Sequence, residues 1–142
     1  METFLKITDI IIEWHENHGD INEVTFGDAS EVDSTTHTDF PLVHLIPLST
    51  AYPEGYVNFT FQILYLDIND GSRDERRAVL SFMNKVCNEF VKANQSGSLY
   101  DELFRITAVP GADVIYRGHE NILFGWSLSY EVSVPNQLIN CG

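Results

Sequence analysis

Between residues 122 and 135 the chain reads ILFGWSLSYEVSVP. Ile122, Phe124, Trp126, Leu128, Tyr130, Val132 and Val134 alternate strictly with Leu123, Gly125, Ser127, Ser129, Glu131 and Ser133. Seven apolar side chains at period two share a face only in an extended strand; a helix would scatter them around its surface. So long a strand requires neighbours to pair with and a layer to cover its apolar face. The same parity puts Glu131 on the polar side.

The chain contains a matching partner. In YVNFTFQILYLDI, Val57, Phe59, Phe61 and Ile63 alternate with Asn58, Thr60 and Gln62, again the mark of one buried face. Leu64 and Leu66 make the end of this strand apolar on both sides, so packing on both faces is expected there.

Two helices can supply the cover. Residues 2–18 carry Phe4, Ile7, Ile11, Trp14 and His18 at 3-4-3-4 spacing, widened by Leu5, Ile10 and Ile12, with Gly19 where a C-cap glycine belongs. The second follows DINDGSRDERRAVLSFMNKV. This acidic stretch invites comparison with a calcium loop, but from Asp67 the glycine, Gly71, comes one place early and position 12 is Ala78. Ser72 followed by Glu75 is instead a capping box, and Asp74 suits the positive end of a helix. Val79, Phe82, Met83, Val86, Phe90 and Val91 then line one helical face.

Shorter elements complete the order. Val24 and Phe26 suggest a short strand, PLVHLIPL a strand bounded by Pro41 and Pro47, and STAYPEG a turn. ANQSGS ends the second helix; FRITAV is strand-like, PGAD a turn and VIYRG a further strand. The polar stretch from Asp28 to Asp39 reads as an exposed loop or extended hairpin. Together these elements predict a single α+β domain over residues 1–142, with two helices packed on one face of an antiparallel sheet.

Charge narrows function. Eight basic residues against twenty-one acidic ones give a formal net charge of -13. Nucleic-acid affinity rests largely on Lys and Arg neutralising phosphates, so stable DNA binding is not expected. The apolar run Ile10–Ile12 is far too short to span a bilayer. The start, METFLKITDI, has acidic residues where a signal peptide would be basic, and a protein made without export is expected. Cys87 and Cys141 form no zinc or CxxC pattern. A bond between them stays open at this point, with two free thiols in a reducing compartment the simpler reading.

The search for chemistry is mostly negative. HENH, His15 to His18, is one residue short of the HExxH zinc motif, and its histidines stand at i and i+3 near a helix end, where imidazole also suits the negative terminus. His37, His44 and His119 are isolated, and His44 in an apolar strand reads as a hydrogen-bonded core residue. No nucleophile elbow, Walker A or G-x-G-x-x-G pattern occurs. Arg73, Arg76 and Arg77 are expected to pair with neighbouring acids on a solvated helix face. Asn58-Phe-Thr and Asn94-Gln-Ser are sequons of little weight without export. No catalytic, cofactor or metal residue is assigned, and the chain reads as a subunit that assembles with copies of itself or other proteins.

The capped helix SRDERRAVLSFMNKVCNEFV after a long strand, the closing strand GWSLSYEVSVPN and the terminal INCG resemble the small neck and tail-completion proteins of tailed bacteriophages, with their tail-terminator-like fold. The order of elements agrees across nearly the whole chain. The resemblance implies a structural virion protein that forms a homo-oligomeric ring at the head-to-tail junction or on the tail. Such a ring contacts neighbouring portal, neck or tail proteins, and DNA passes through it without specific binding. It supplies no catalytic residue and no cofactor. Inter-subunit contacts are then expected from the helix face of Phe4, Ile7, Ile11 and Trp14, and from Asp28, Glu31, Asp33 and Asp39 in the loop. The alternative is a small ligand-binding or enzyme-like α+β domain with a pocket between sheet and helices.

Overall fold

A computed structural model describes residues 3–28, 40–69, 72–95, 105–106, 111–117 and 122–135. The elements are α1 (Thr3–Glu16), β1 (Glu23–Phe26), β2 (Leu42–Ala51), β3 (Tyr56–Asn69), α2 (Arg73–Gln95), β4 (Arg105–Ile106), β5 (Gly111–Arg117) and β6 (Ile122–Pro135). The fold is α+β, as the alternation and helical periodicities predict.

The two long strands are the centre of the sheet. β3 and β6 pair antiparallel along their whole length, from Tyr56 opposite Pro135 to Asn69 opposite Ile122. The sheet order is β1-β2-β3-β6, with β4 and β5 both paired antiparallel to β6 along its other edge. This register brings the odd-numbered apolar residues of β3 and the even-numbered ones of β6 to one face. Phe61, Ile63, Tyr65, Leu128, Tyr130, Val132 and Val134 meet Ile7 and Ile11 of α1 and Val79, Met83, Val86 and Phe90 of α2 in one buried cluster. Both helices therefore cover the same face. Each large apolar side chain fully buried there stabilises the fold by about 1.5–3 kcal/mol. On the opposite face Leu42, Ile46, Leu64 and Leu66 form a second, smaller buried cluster with Phe40 and Ile115. Leu64 and Leu66 thus have cover on the far side, as the doubly apolar end of β3 requires.

The sheet is mixed rather than antiparallel throughout. β1 runs parallel to β2, Glu23 beside Leu42 through Phe26 beside Leu45. Consecutive strands can lie parallel only if the chain returns to the starting end, which takes a dozen or more residues. Residues 27–41 are enough for that return, and the parallel pairing means that β1 and β2 are not a hairpin. Positions 29–39 of the expected loop lie outside the described residues.

Three local expectations are corrected. Pro47 does not end β2; the strand continues to Ala51 with a register shift between Pro47 and Ser49. β1 stops beside Leu45, so Pro47 sits where its outer edge has no ladder bond from β1 to lose. Gly111, Ala112 and Asp113 of PGAD belong to β5, paired with Ser129, Leu128 and Ser127 of β6. Gly19 lacks the positive φ of an αL cap; among the described glycines φ is positive at Gly27 (147°) and Gly55 (84°). Instead the amide of His18 donates to the His15 carbonyl (3.2 Å), and that of Asp20 to His18 Nδ1 (3.1 Å). The predicted turn does join β2 to β3: Gly55 (φ 84°) supplies the positive φ, and the Tyr56 amide donates to the Pro53 carbonyl.

At the start of α2, Ser72 Oγ accepts from the Glu75 amide (3.2 Å), and the Ser72 carbonyl accepts from the Arg76 amide (3.0 Å). Ser72 therefore caps α2 as expected, while Asp70 and Gly71 of the acidic stretch lie outside the described residues.

Candidate functional site

The molecule offers two places to look: a buried polar cluster under α1, and exposed apolar side chains around the α1 start. The buried cluster begins with spacing. Ile7, Ile11 and His15 stand four residues apart, on one stripe that faces the sheet. All three are buried, His15 completely. Its Nδ1 lies 2.8 Å from the Ile11 carbonyl and its Nε2 2.8 Å from the Tyr65 hydroxyl. A carbonyl can only accept, so Nδ1 carries the proton; in the neutral ring Nε2 then accepts from the Tyr65 O–H. The ring is walled by Trp14, Phe90 and Tyr65, with centroids 4.9, 4.6 and 5.4 Å away. Burial in this box pulls the His15 pKa down from 6.5 to about 4, only partly opposed by the Ile11 carbonyl, and nearby His18 lowers it further. Burial likewise pushes the Tyr65 hydroxyl well above its ordinary value.

This settles the role of the first histidine in HENH. Both ring nitrogens of His15 are used within the chain. The negative helix end, which favours a charged imidazole, is not what places this neutral, buried ring. His18 faces elsewhere, its Nε2 3.5 Å from Glu89 of α2. Lys85 adds contacts to Asp20 (3.6 Å) and Glu89 (3.8 Å), so a charged row joins the end of α1 to α2. Among the described residues no group of three or more His, Cys, Asp or Glu side chains is placed to hold a metal ion.

The residues expected at inter-subunit contacts divide. Ile7 and Ile11 are 0 % and 1 % exposed, so the chain's own sheet already covers them. They form no part of the free surface, which corrects the expectation for these two. Trp14 is half-buried against Phe90 (ring centroids 5.2 Å) and His18. Phe4 packs one side on Phe59 and Phe61 and remains 39 % exposed. Asp28 is exposed, and its carbonyl accepts from His44 Nε2 (2.8 Å). Glu31, Asp33 and Asp39 lie outside the described residues.

Phe4 has exposed company that the helical pattern could not reveal. Phe61 pairs with Pro47, and the next residue, Leu48, is left without a partner by the register shift and stands 54 % exposed. Phe26, beside Leu45, is 43 % exposed, and Leu5 51 %. Phe4 and Leu48 thus make an apolar corner at the Phe61–Pro47 pair, and Phe26 lies one strand further out, beside Leu45. Asp28 sits at the same end of the sheet, next to His44 on the opposite face.

Other singled-out residues have structural partners. His44 is fully buried, with Nδ1 2.6 Å from Thr25 Oγ1, tying β2 to β1. Glu131 lies on the polar face, where Thr60 Oγ1 donates to Oε2 (3.3 Å). Arg73 and Arg77 both reach Asp74, at 3.5 and 3.9 Å. Cys87 is a free, buried thiol whose pKa burial raises to about 11. Cys141 lies outside the described residues.

No protein-family model and no curated protein sequence matches this chain. None of the described helices is long and apolar enough to cross a membrane.

Proposed function

We propose that this chain is a structural subunit that closes into a ring, of the neck or tail-terminator kind built into tailed-bacteriophage virions. The observation that carries the reading is the exposure of Phe4, Leu5, Phe26 and Leu48 on α1, β1 and β2, outside the buried core. Clustered exposed apolar side chains favour contact with another protein surface. The succession of helix, short strand, long connection, hairpin, capped helix and closing strands supports it as well. So does a net charge of -13, which suits a channel lining that repels duplex DNA and lets it slide.

In this reading the ring meets portal, neck or tail proteins on its two sides, and DNA passes without specific contact. The work of the chain is mechanical, with no catalytic step. A pocket between sheet and helices has less to recommend it. That layer is occupied by Phe61, Ile63, Tyr65, Met83, Phe90 and Leu128, each at most 1 % exposed, and its histidine and tyrosine bond to each other.

Electron microscopy of the purified protein tests the reading. Annular particles with a central opening are the expected outcome. Uniform small particles, together with a small molecule retained in native mass spectra, would replace it with the pocket.

A further inference from the structure

We infer that α1 is an acid-released latch: uptake of a proton by His15 is coupled to lifting of the helix from β3 and α2, while the sheet and α2 stay in place. The geometry carries this. α1 shares no ladder of backbone hydrogen bonds with the sheet, so it can leave without breaking a strand pair. What holds it is side-chain contact: Ile7 and Ile11 in the core, Phe4 on Phe59 and Phe61, Trp14 on Phe90, and His15 bonded to Tyr65. Of these, only His15 changes charge between neutral and mildly acidic pH.

The closed site is built for the neutral ring. The Ile11 carbonyl takes the one N–H, the Tyr65 O–H fills the other nitrogen, and the remaining walls are aromatic. Among the described residues, the titratable groups around it offer no compensating anion. From α1 itself comes His18, which adds repulsion; from β3, Tyr65; from α2, the buried thiol of Cys87 beside Tyr65. Glu89 of α2 is directed at His18 rather than His15, and Lys85 at Glu89 and Asp20. Once the helix lifts, the ring enters water and binds a proton at its ordinary pKa. Opening is therefore linked to one proton, and its equilibrium constant rises about tenfold per pH unit below 6.5, by about 300-fold in all as pH falls past 4.

The test is amide hydrogen exchange resolved by residue between pH 7 and pH 4.5, corrected for intrinsic exchange, with the His15 ring followed by NMR in the same samples. His18→Gln is the background, so that His15 is the one imidazole on α1 and its C-terminal turn. The expected result is loss of protection in α1 growing as pH falls, with β3 and β6 unchanged, and no such trend in His15→Gln. Equal loss in α1 and the sheet would overturn the inference, as would an undiminished trend in His15→Gln. Should His15→Gln fail to fold, the ring decides: protonation in step with α1 opening supports the latch, and protonation near pH 6.5 with α1 still protected overturns it.

Discussion

His15 Nε2 and the Tyr65 hydroxyl, fifty residues apart in sequence, meet at 2.8 Å in the core. This bond joins α1 to the central strand and satisfies one buried polar atom of each residue. Tyr65→Phe removes the donor and leaves Nε2 desolvated. A loss of about 1–3 kcal/mol is expected, read from the urea midpoint at pH 7.5, where the ring is neutral.

The same bond gives a pH dependence of definite sign. His15 has its pKa lowered on folding, from 6.5 to about 4, so its contribution to stability is complete above pH 6.5 and is lost as pH falls toward 4. Wild type should therefore lose more stability than His15→Gln between pH 7 and pH 4.5. Parallel urea titrations of the two proteins check this, and equal losses would contradict it.

Gly125 of β6 stands opposite Leu66 of β3. A Cβ at this position would collide with the Tyr65 carbonyl oxygen and lie 2.8 Å from its carbon, both backbone atoms that cannot swing away. Gly125→Ala forces the two longest strands apart and is expected to cost about 3 kcal/mol or more. A thermal melt measures it, with Ser129→Ala, exposed on the same strand, as the comparison.

Cys87 is buried as a neutral thiol, with its pKa raised to about 11. In a Cys141→Ser background, the folded protein should react with a thiol reagent at pH 8 far more slowly than a free thiol, at a rate set by opening of the structure. Reaction at the rate of the urea-unfolded chain would contradict the placement of Cys87.

Leu48 tests the apolar corner separately from the core. Leu48→Asp removes an apolar contact surface while touching none of the buried cluster, so monomer stability should change by no more than about 0.5 kcal/mol. In the ring reading it should nevertheless abolish assembly. Sedimentation and a urea melt of the same variant separate the two effects.

Much of the fold is legible in the sequence because it rests on periodicity. The period-two runs around Phe61 and Tyr130 specify strands and their buried faces, and Ser72 with Glu75 marks the start of α2. What local sequence does not carry is pairing between distant segments. Nothing in Glu23–Phe26 says that it lies parallel to β2, since that depends on the path of the connection between them. Pro47 reads as a stop, and only the short reach of β1 reveals why β2 continues past it. The role of Gly125 is invisible for the same reason: it depends on how closely another strand approaches. The buried stripe of α1 was partly readable. His15 follows Ile7 and Ile11 at intervals of four, yet the 3-4-3-4 pattern through Trp14 and His18 points to a neighbouring stripe. Leu48 becomes exposed through a register shift that no motif announces.

The native mass of the purified protein, measured by light scattering across a concentration series, decides whether the chain closes into a ring. A chain of 16.1 kDa that closes into a ring gives one high multiple of that mass, constant once formed, because a closed ring has no free end to extend. A mass that stays at 16.1 kDa up to the highest concentration reached, or one that grows without limit, would contradict it.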